Sequence, residues 1–388
     1  MSALPPTPRT ANERPSALTA AFALLDGRSE DMPLLDLSQG VPGYPTAPEI
    51  VRRVAEAAHE RDAMSYTARP GLPELRSLFA ADIAAGYEGA VEPEEVLITA
   101  GANQAFCIAA STLADVGDEV IIAAPYYFNH ATWLRMERIS PRFLETDASF
   151  LPDPSDAEEL LTDRTRAIVL VTPSNPTGVT IPSEVLDAFA DIAERREIVL
   201  ILDETYRAFR RADGPPHRLF ARPNWQRWLV SVHSFSKEFA IPGFRVGAAV
   251  GGKDLLAEML KLLDCVAICA PRLGQEAAIA GLTDAQAWRV ERVREIRDKE
   301  RIFRAVMADA PGGFELSSAG AFFGWVRHPF SGQTAEDVVA RLATDAGILA
   351  LPGSLFTLQD DGYVRFSFAN LSADEIREFG KRLNGFNT

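Results

Sequence analysis

The feature that most constrains this chain is one lysine in a short polar stretch. Residues 231–250 read SVHSFSKEFAIPGFRVGAAV, with an apolar run at each end and serine, proline and glycine between them. This pattern predicts two buried strands joined by a loop. Lys237 lies in that loop and is the only lysine among the first 252 residues, where arginine supplies the other positive charges. A lysine in a part of the chain that otherwise uses arginine for its positive charges indicates a chemical role.

The neighbours of Lys237 indicate which chemistry it serves. A partly desolvated lysine can lose its proton near neutral pH and become a nucleophile, whereas arginine cannot. Arg245 offers a planar fork for a phosphate, and Ser234 and Ser236 add hydroxyl groups. The stretch therefore predicts an amine that condenses with a phosphate-bearing aldehyde cofactor. The alternative is a surface loop with an incidental lysine.

Composition excludes several other classes of protein. The length of 388 residues predicts two domains. The 39 basic and 54 acidic residues give a net charge of −15, which argues against nucleic-acid binding. Cys265 and Cys269 lie four apart on a predicted helix but have no second pair, so we expect no metal site. With Cys107 they predict reduced thiols and a cytoplasmic protein. No apolar run is long enough to span a membrane, and residues 1–15 lack a signal core.

Polar or small residues follow each predicted strand in the middle of the chain. Gly101, Ala102 and Asn103 join the strand at 96–99 to a helix, where backbone N–H groups and the helix dipole favour a phosphate. Many α/β turns look similar, so this signal is weak alone. Asp203 directly follows an apolar strand, where a carboxylate is costly unless something pairs with it.

Five further residues stand out, each with a simpler alternative. Tyr127 and Tyr206 follow strands, where a half-buried tyrosine is also ordinary, and Asn175 begins an Asn-Pro-Thr-Gly segment that a simple turn would also explain. Gly40 lies in a Gly/Pro-rich segment that is either a shaped active-site loop or a connector. Arg365 alternates with apolar residues on the strand at 362–368, and a surface arginine on an edge strand is its alternative.

These motifs resemble a known family. Residues 234–237 (Ser-Phe-Ser-Lys) and 243–247 (Gly-Phe-Arg-Val-Gly) resemble the lysine signature of the class I/II aminotransferases, which are fold-type I pyridoxal-phosphate enzymes. The remaining motifs follow in the same order from about Gly40 to Arg365. The resemblance implies an α/β fold: a large domain (46–288) with a mainly parallel seven-stranded sheet flanked by helices, and a smaller α+β C-terminal domain (289–388). Residues 1–45 form an N-terminal arm and part of the small domain.

The resemblance also implies how pyridoxal 5'-phosphate is held. Lys237 forms the aldimine with the cofactor and carries protons, and Asp203 pairs with the ring nitrogen. Tyr206 and Asn175 meet the phenolic oxygen, and Tyr127 stacks on the ring. The residues implied at the phosphate are Gly101, Ala102, Asn103, Ser234, Ser236 and Arg245.

Substrate and partner residues follow from the same resemblance. Gly40 and Arg365 match residues that meet the substrate carboxylate, and Asn175 is implied as a further substrate-binding residue. Tyr66 matches a tyrosine that reaches the cofactor phosphate of a neighbouring subunit, which implies a homodimer with shared active sites. An ordinary packed tyrosine is the alternative for Tyr66.

The leading function is transfer of an α-amino group from an L-amino acid to a 2-oxo acid. The same residues also serve elimination, cyclisation or oxidation of an amino acid, so a lyase, cyclase or oxidase is the alternative. A fused transcription regulator with such a domain is disfavoured by the acidic charge and by the roughly 30 residues before the match. The substrate side chain is not readable. Tyr44, Phe322 and Phe323 hint at an apolar or aromatic one, but such residues also fill ordinary cores.

Overall fold

The computed structural model describes residues 6–27 and 32–386. Its helices are α1 (Pro8–Ala11), α2 (Ala17–Ala23), α3 (Pro48–Ala58), α4 (Pro73–Gly86), α5 (Ala102–Leu113), α6 (Phe128–Met136), α7 (Pro154–Leu160), α8 (Ser183–Arg196), α9 (Phe235–Glu238), α10 (Lys253–Ala267), α11 (Arg272–Thr283), α12 (Gln286–Met307), α13 (Ala335–Asp345) and α14 (Ala373–Asn384).

Its strands are β1 (Leu35–Asp36), β2 (Val96–Thr99), β3 (Glu119–Ala124), β4 (Ser140–Glu145), β5 (Thr165–Val171), β6 (Val199–Asp203), β7 (Leu229–Ser234), β8 (Gly247–Gly251), β9 (Glu315–Gly320), β10 (Phe323–Arg327), β11 (Ile348–Leu349), β12 (Leu351–Pro352) and β13 (Tyr363–Ser367).

The large sheet contains seven strands in the order β2-β8-β7-β6-β5-β3-β4. The pairs among β7, β6, β5, β3 and β4 are parallel, and β8 runs antiparallel to both β2 and β7. Six strands therefore run in one direction and end at one edge, where β8 begins. The predicted α/β fold with a mainly parallel seven-stranded sheet is confirmed.

Both faces of the large sheet are covered, which explains its near-continuous apolar strands. In β6, Leu200 and Leu202 pack into one hydrophobic cluster with helices α4, α8 and α11. The alternate residues Val199 and Ile201 pack into a second cluster with α5, α6 and α10. Successive side chains of a strand point to opposite faces, so one apolar run supplies both clusters.

A second, antiparallel sheet has the order β12-β13-β10-β9 and carries its own hydrophobic cluster with α12, α13 and α14. The N-terminal arm reaches this region, because β1 pairs in parallel with β11. Trp288, near the start of α12, packs against the clusters of both regions. We keep the division into residues 1–45, 46–288 and 289–388 as a proposal; residues 1–5, 28–31 and 387–388 lie outside the described part.

The surface alternative for Arg365 is wrong. Its strand β13 lies between β12 and β10 rather than at an edge of the small sheet, and Arg365 pairs across the sheet with Trp325 and Leu351. The arginine is 3% exposed. A charge buried at this depth needs a local reason.

Two local details differ from the sequence-based expectations. Lys237 lies on the one-turn helix α9 rather than in a loop, because β7 continues to Ser234, whose hydroxyl oxygen accepts a hydrogen bond from the Ser236 amide and caps the helix. A four-residue helix is too short to show a periodic pattern. Cys269 lies beyond the end of α10, since Ile268 has a positive φ of 64° that ends the helix.

A close backbone contact joins the turn that carries Asn175 to the small sheet. The Ser318 hydroxyl donates to the Thr177 carbonyl at 2.8 Å. Gly178 has a φ of +73°, and a Cβ on Gly320 would overlap the Gly178 carbonyl oxygen. Glycine is needed at such a contact because any side chain would separate the two backbones. The contact fixes Asn175 relative to β9.

No helix in the described ranges is long and apolar enough to cross a membrane.

Candidate active site

A cavity of about 200 Å³ opens where the six co-directional strands end. Open parallel sheets bind ligands at this edge. Apart from Gly101 and Tyr66, every site residue predicted from the sequence lines this cavity. They are Gly40, Ala102, Asn103, Tyr127, Asn175, Asp203, Tyr206, Ser234, Ser236, Lys237, Arg245 and Arg365.

Lys237 enters the cavity from α9 with no acidic partner among the described residues. Burial, followed by the positive charges of Arg245 and Arg365, lowers the pKa of its amine to about 8. Both effects disfavour the protonated form. A substantial fraction of the amine is therefore neutral near physiological pH and able to act as a nucleophile.

Arg245 forms one end of the cavity. Its left-handed backbone, with φ of 51°, turns the chain into β8. Its Nη1 donates to the Pro242 carbonyl at 2.9 Å and to the Ser236 hydroxyl at 3.5 Å, and its Nη2 donates to the Ala100 carbonyl at 3.3 Å. These bonds hold the guanidinium at the first turn of α5.

The N-terminus of α5 completes a phosphate cradle. Gly101 caps the helix with a φ of +92°, and a Cβ there would overlap Arg245 Nη2, so glycine lets the guanidinium approach. Gly101 thus lies behind the cavity wall rather than in it. The first N–H groups of a helix lack intrahelical partners and favour anions. Together with Ser234 and Ser236, this end of the cavity suits a phosphate group.

Asp203, the last residue of β6, is the buried acid of the cavity. Its Oδ1 accepts from the Thr205 amide at 2.9 Å, and its Oδ2 lies 3.3 Å from His130 Nε2. Burial alone would raise the pKa of Asp203, but His130 and Thr205 outweigh burial and hold the pKa below its ordinary value. The carboxylate therefore stays ionised and suits a protonated ring nitrogen.

His130 is a site residue that the sequence analysis missed. No sequence motif marks this histidine. It lies in the first turn of α6, where its ring stacks on Phe106 with ring centroids 3.8 Å apart. The one available signal was its position just after the strand-end Tyr127. Its ring meets that tyrosine edge-on at 5.1 Å, so it supports both the acid and an aromatic wall.

A hydrogen-bonded chain crosses the cavity from Tyr206 to Arg365. Asn175 donates from Nδ2 to the Tyr206 hydroxyl at 3.2 Å and accepts from Arg365 Nη1 at 2.8 Å. Burial raises the pKa of Tyr206, so its hydroxyl keeps its proton. The other Arg365 terminal nitrogen, Nη2, donates to the Ser38 carbonyl, a partner with no sequence signal.

The charge of Arg365 is left without an anion. In the described residues no carboxylate lies within ion-pair distance, and its buried Nε has no hydrogen-bond partner. The rings of Phe323 and Phe356 lie 5.0 and 5.1 Å from Cζ. Burial lowers the pKa of Arg365 to about 10, which still leaves it charged. A buried guanidinium with an open donor is suited to a carboxylate ligand.

The remaining sequence-based predictions concern Gly40, Tyr66 and three aromatic residues, and their outcomes differ. Gly40 lines the cavity, and a Cβ there would lie 2.9 Å from Phe323, so a larger residue would not fit. Tyr66 is 76% exposed and lies away from this chain's cavity. The expectation that Tyr44, Phe322 and Phe323 face the substrate is wrong, because all three are buried in the small-sheet cluster behind the cavity.

The residues of this cavity fit pyridoxal phosphate: a nucleophilic lysine, a phosphate cradle, a buried ionised acid and a protonated tyrosine. On such a sheet they define a fold-type I pyridoxal-phosphate enzyme.

Comparison with known proteins gives the family. The chain belongs to the family described as aminotransferase class I and II, whose model matches residues 32–383. It is 31% identical over 366 residues to an aspartate aminotransferase of Pyrococcus horikoshii, across 93% of this chain and 92% of that protein. It is 30% identical over 377 residues to the aspartate/prephenate aminotransferase of Thermus thermophilus, across 94% of each. The structure of a mutant Thermus thermophilus aspartate aminotransferase matches with a TM-score of 0.89 and 28% identity, over 99% of this chain and 100% of that one.

These findings confirm the expected family, fold and cofactor. The chain is a pyridoxal-phosphate-dependent aminotransferase of class I/II. The relatives named above are aminotransferases and lend no support to a lyase, cyclase or oxidase.

The lowered pKa of Lys237 predicts how the apoprotein takes up its cofactor. The neutral amine is the reactive form, so the rate of reconstitution with pyridoxal phosphate should rise with pH with a midpoint of about 8. Arg365→Met removes a nearby positive charge, which should raise the pKa of Lys237 and move the midpoint upward. Stopped-flow absorbance measures both. Arg377→Met, at an exposed arginine on α14, is the control and should change nothing. A wild-type midpoint at the ordinary lysine value would contradict the prediction.

Proposed function

We propose that this site transfers the α-amino group of an L-amino acid to a 2-oxo acid, with the residues of the cavity in the roles given below. The observation that carries the proposal is the placement of Lys237 between the phosphate cradle at Arg245 and the unpaired buried charge of Arg365. Bound pyridoxal phosphate supplies an electron sink for the bond broken at the substrate Cα.

Lys237 first holds the cofactor and then, once substrate has displaced it, moves a proton between the substrate Cα and cofactor C4′. A group that both accepts and donates a proton works best when its pKa lies near the working pH. The pKa of about 8 meets this requirement. The one-turn helix α9 restricts where the amine can reach.

The remaining residues bind and orient the cofactor and the substrate. Asp203, supported by His130, keeps the ring nitrogen protonated, and Tyr206 with Asn175 donates to the phenolic oxygen. Arg365 binds the substrate carboxylate. Because Asn175 also accepts from Arg365, one side chain aligns the cofactor with the substrate.

A half-reaction tests the function. Purified holoenzyme mixed with a reactive amino acid and no oxo acid should convert its bound cofactor stoichiometrically to pyridoxamine phosphate, with release of the matching oxo acid. Absorbance and mass spectrometry measure the two products. Borohydride reduction of holoenzyme that has not been mixed with an amino acid should place the pyridoxyl group on Lys237. Release of ammonia with the cofactor unchanged would instead indicate elimination or oxidation.

Arg365→Lys tests the carboxylate anchor. Lysine keeps the charge but not the planar fork, so kcat/KM for the amino acid should fall by an amount equivalent to about 2–5 kcal/mol. Bound cofactor should remain, because the phosphate is held at Arg245. An amine donor without a carboxylate provides the internal control and should be affected far less. Equal losses for both donors, or loss of the cofactor, would assign Arg365 to the fold or the cofactor site.

We also propose a homodimer in which Tyr66 reaches the cofactor phosphate of the partner subunit. The support is the 76% exposure of this large ring together with the family resemblance of its segment. We further propose a cytoplasmic location, since Cys107, Cys265 and Cys269 are free thiols.

Subunit mixing tests the shared site. If Tyr66→Ala and Lys237→Ala are each inactive, exchange of subunits should restore about one quarter of wild-type activity, because half of the dimers become hybrids with one intact site. Size-exclusion chromatography and tagged subunits verify exchange. Met64→Ala, at a neighbouring residue that is 87% exposed, is the control and should stay active. Verified exchange without recovered activity would count against a shared site.

A further inference from the structure

The charged residues that line the cavity are all engaged by the proposed roles. They are Asp203, Lys237, Arg245 and Arg365. In the described part of the chain no further acidic or basic side chain reaches the cavity wall. This chain therefore leaves no cation for a second carboxylate of a substrate and no anion for a side-chain ammonium.

The wall beside Arg365 is apolar. Leu351 is the direct cross-strand partner of Arg365 and lines the cavity, so their side chains lie next to each other on one face of the sheet. Phe128 lines the cavity as well, and its ring lies 5.3 Å from Phe356, whose own ring lies 5.1 Å from the Arg365 Cζ. A substrate held by its carboxylate at Arg365 therefore meets hydrocarbon.

The N-terminal arm extends this wall. Leu18 on α2 lines the cavity. Ala21, three residues later on the same helical face, is buried in a cluster with Leu351 and Phe356. Ala21 thus docks the helix beside Leu351, the cross-strand neighbour of Arg365, and Leu18 lines the same cavity as Arg365. Val41 adds a further apolar group from the segment after Gly40.

Besides Asn175, two further neutral amide side chains line the cavity, and neither adds a charge to it. Gln39 donates from Nε2 to an oxygen of Asp36 at 3.3 Å, so its amide is engaged within its own segment. Asn103 lies at the start of α5 beside the phosphate cradle. Neither carries a charge that could balance a second carboxylate.

We propose that this site selects amino acids with uncharged, apolar side chains, of the leucine, methionine or phenylalanine type, and that Leu18 contacts that side chain and determines the preference. The inference rests on the proposed function, since it concerns the substrate of the same site. A distal carboxylate or ammonium would lose its water here without gaining a partner. Discrimination against charged donors should reach at least about 100-fold in kcat/KM.

A donor panel tests the substrate class. Holoenzyme is mixed with leucine, methionine, phenylalanine, aspartate, glutamate or lysine, and single-turnover conversion of the bound cofactor is followed by absorbance. The three apolar donors should react at least about 100-fold more efficiently than the charged ones. Aspartate as efficient as leucine would overturn this inference and leave the proposed function intact, and would show that a cation comes from the partner subunit. Failure of every donor would overturn both.

Matched variants on α2 test the role of Leu18. Leu18→Arg places a cation beside the substrate side chain and should raise the aspartate-to-leucine ratio of kcat/KM by at least about tenfold. Phe22→Arg adds the same charge on the same helix at a residue that is 40% exposed and outside the cavity, and it should leave the ratio unchanged.

Smaller changes separate contact from folding. Leu18→Ala should lower kcat/KM for leucine by about tenfold with much less effect on alanine as donor, and Leu18→Met should restore most of the loss. Melting temperatures of the holoenzymes show whether each variant is folded. Equal shifts of the ratio by Leu18→Arg and Phe22→Arg, or equal losses for all donors in Leu18→Ala, would show that Leu18 does not contact the substrate.

Discussion

The buried charge of Arg365 is the constraint around which the rest of this structure is arranged. Nothing in the described residues neutralises it with a carboxylate, and desolvation of a guanidinium is costly. The chain offsets part of this cost with the Asn175 amide oxygen, the Ser38 carbonyl and two aromatic rings. These partners come from four separate segments. The same charge helps to keep the Lys237 amine partly neutral, so the arginine proposed to bind the substrate also influences the nucleophile.

The direction of the strands decides where the chemistry lies. Six strands end at one edge, which places Asp203 at the end of β6 and Ser234 at the end of β7. The reversed strand β8 begins at that edge, so Arg245, just before it, comes beside the N-terminus of α5. The cavity wall therefore carries the positive charges of Arg245 and Arg365 together with one buried anion, Asp203.

The walls of the cavity show why residue type alone was a poor guide to which side chains face it. Phe322 lies between β9 and β10 and Phe323 begins β10, and both rings are buried in the small-sheet cluster. The apolar groups that do face the cavity come from the N-terminal arm, the start of α6 and the short strand β12. None of these segments carries a motif, because a leucine beside a cavity and a leucine in a core have the same local sequence.

The sequence by itself determined the class of fold and most of the residues that line the cavity. The family resemblance implied the mainly parallel sheet. Asp203, Asn175 and Lys237 lie at or just after strand ends and Arg245 lies just before β8, in motifs that depend on local chain geometry. Only the tertiary structure decided that His130 supports Asp203, that Ser38 supports Arg365 and that Leu18 reaches the cavity. These contacts join residues that are far apart in the chain. Whether such residues meet depends on how whole helices and strands pack together, and no local sequence pattern records that packing.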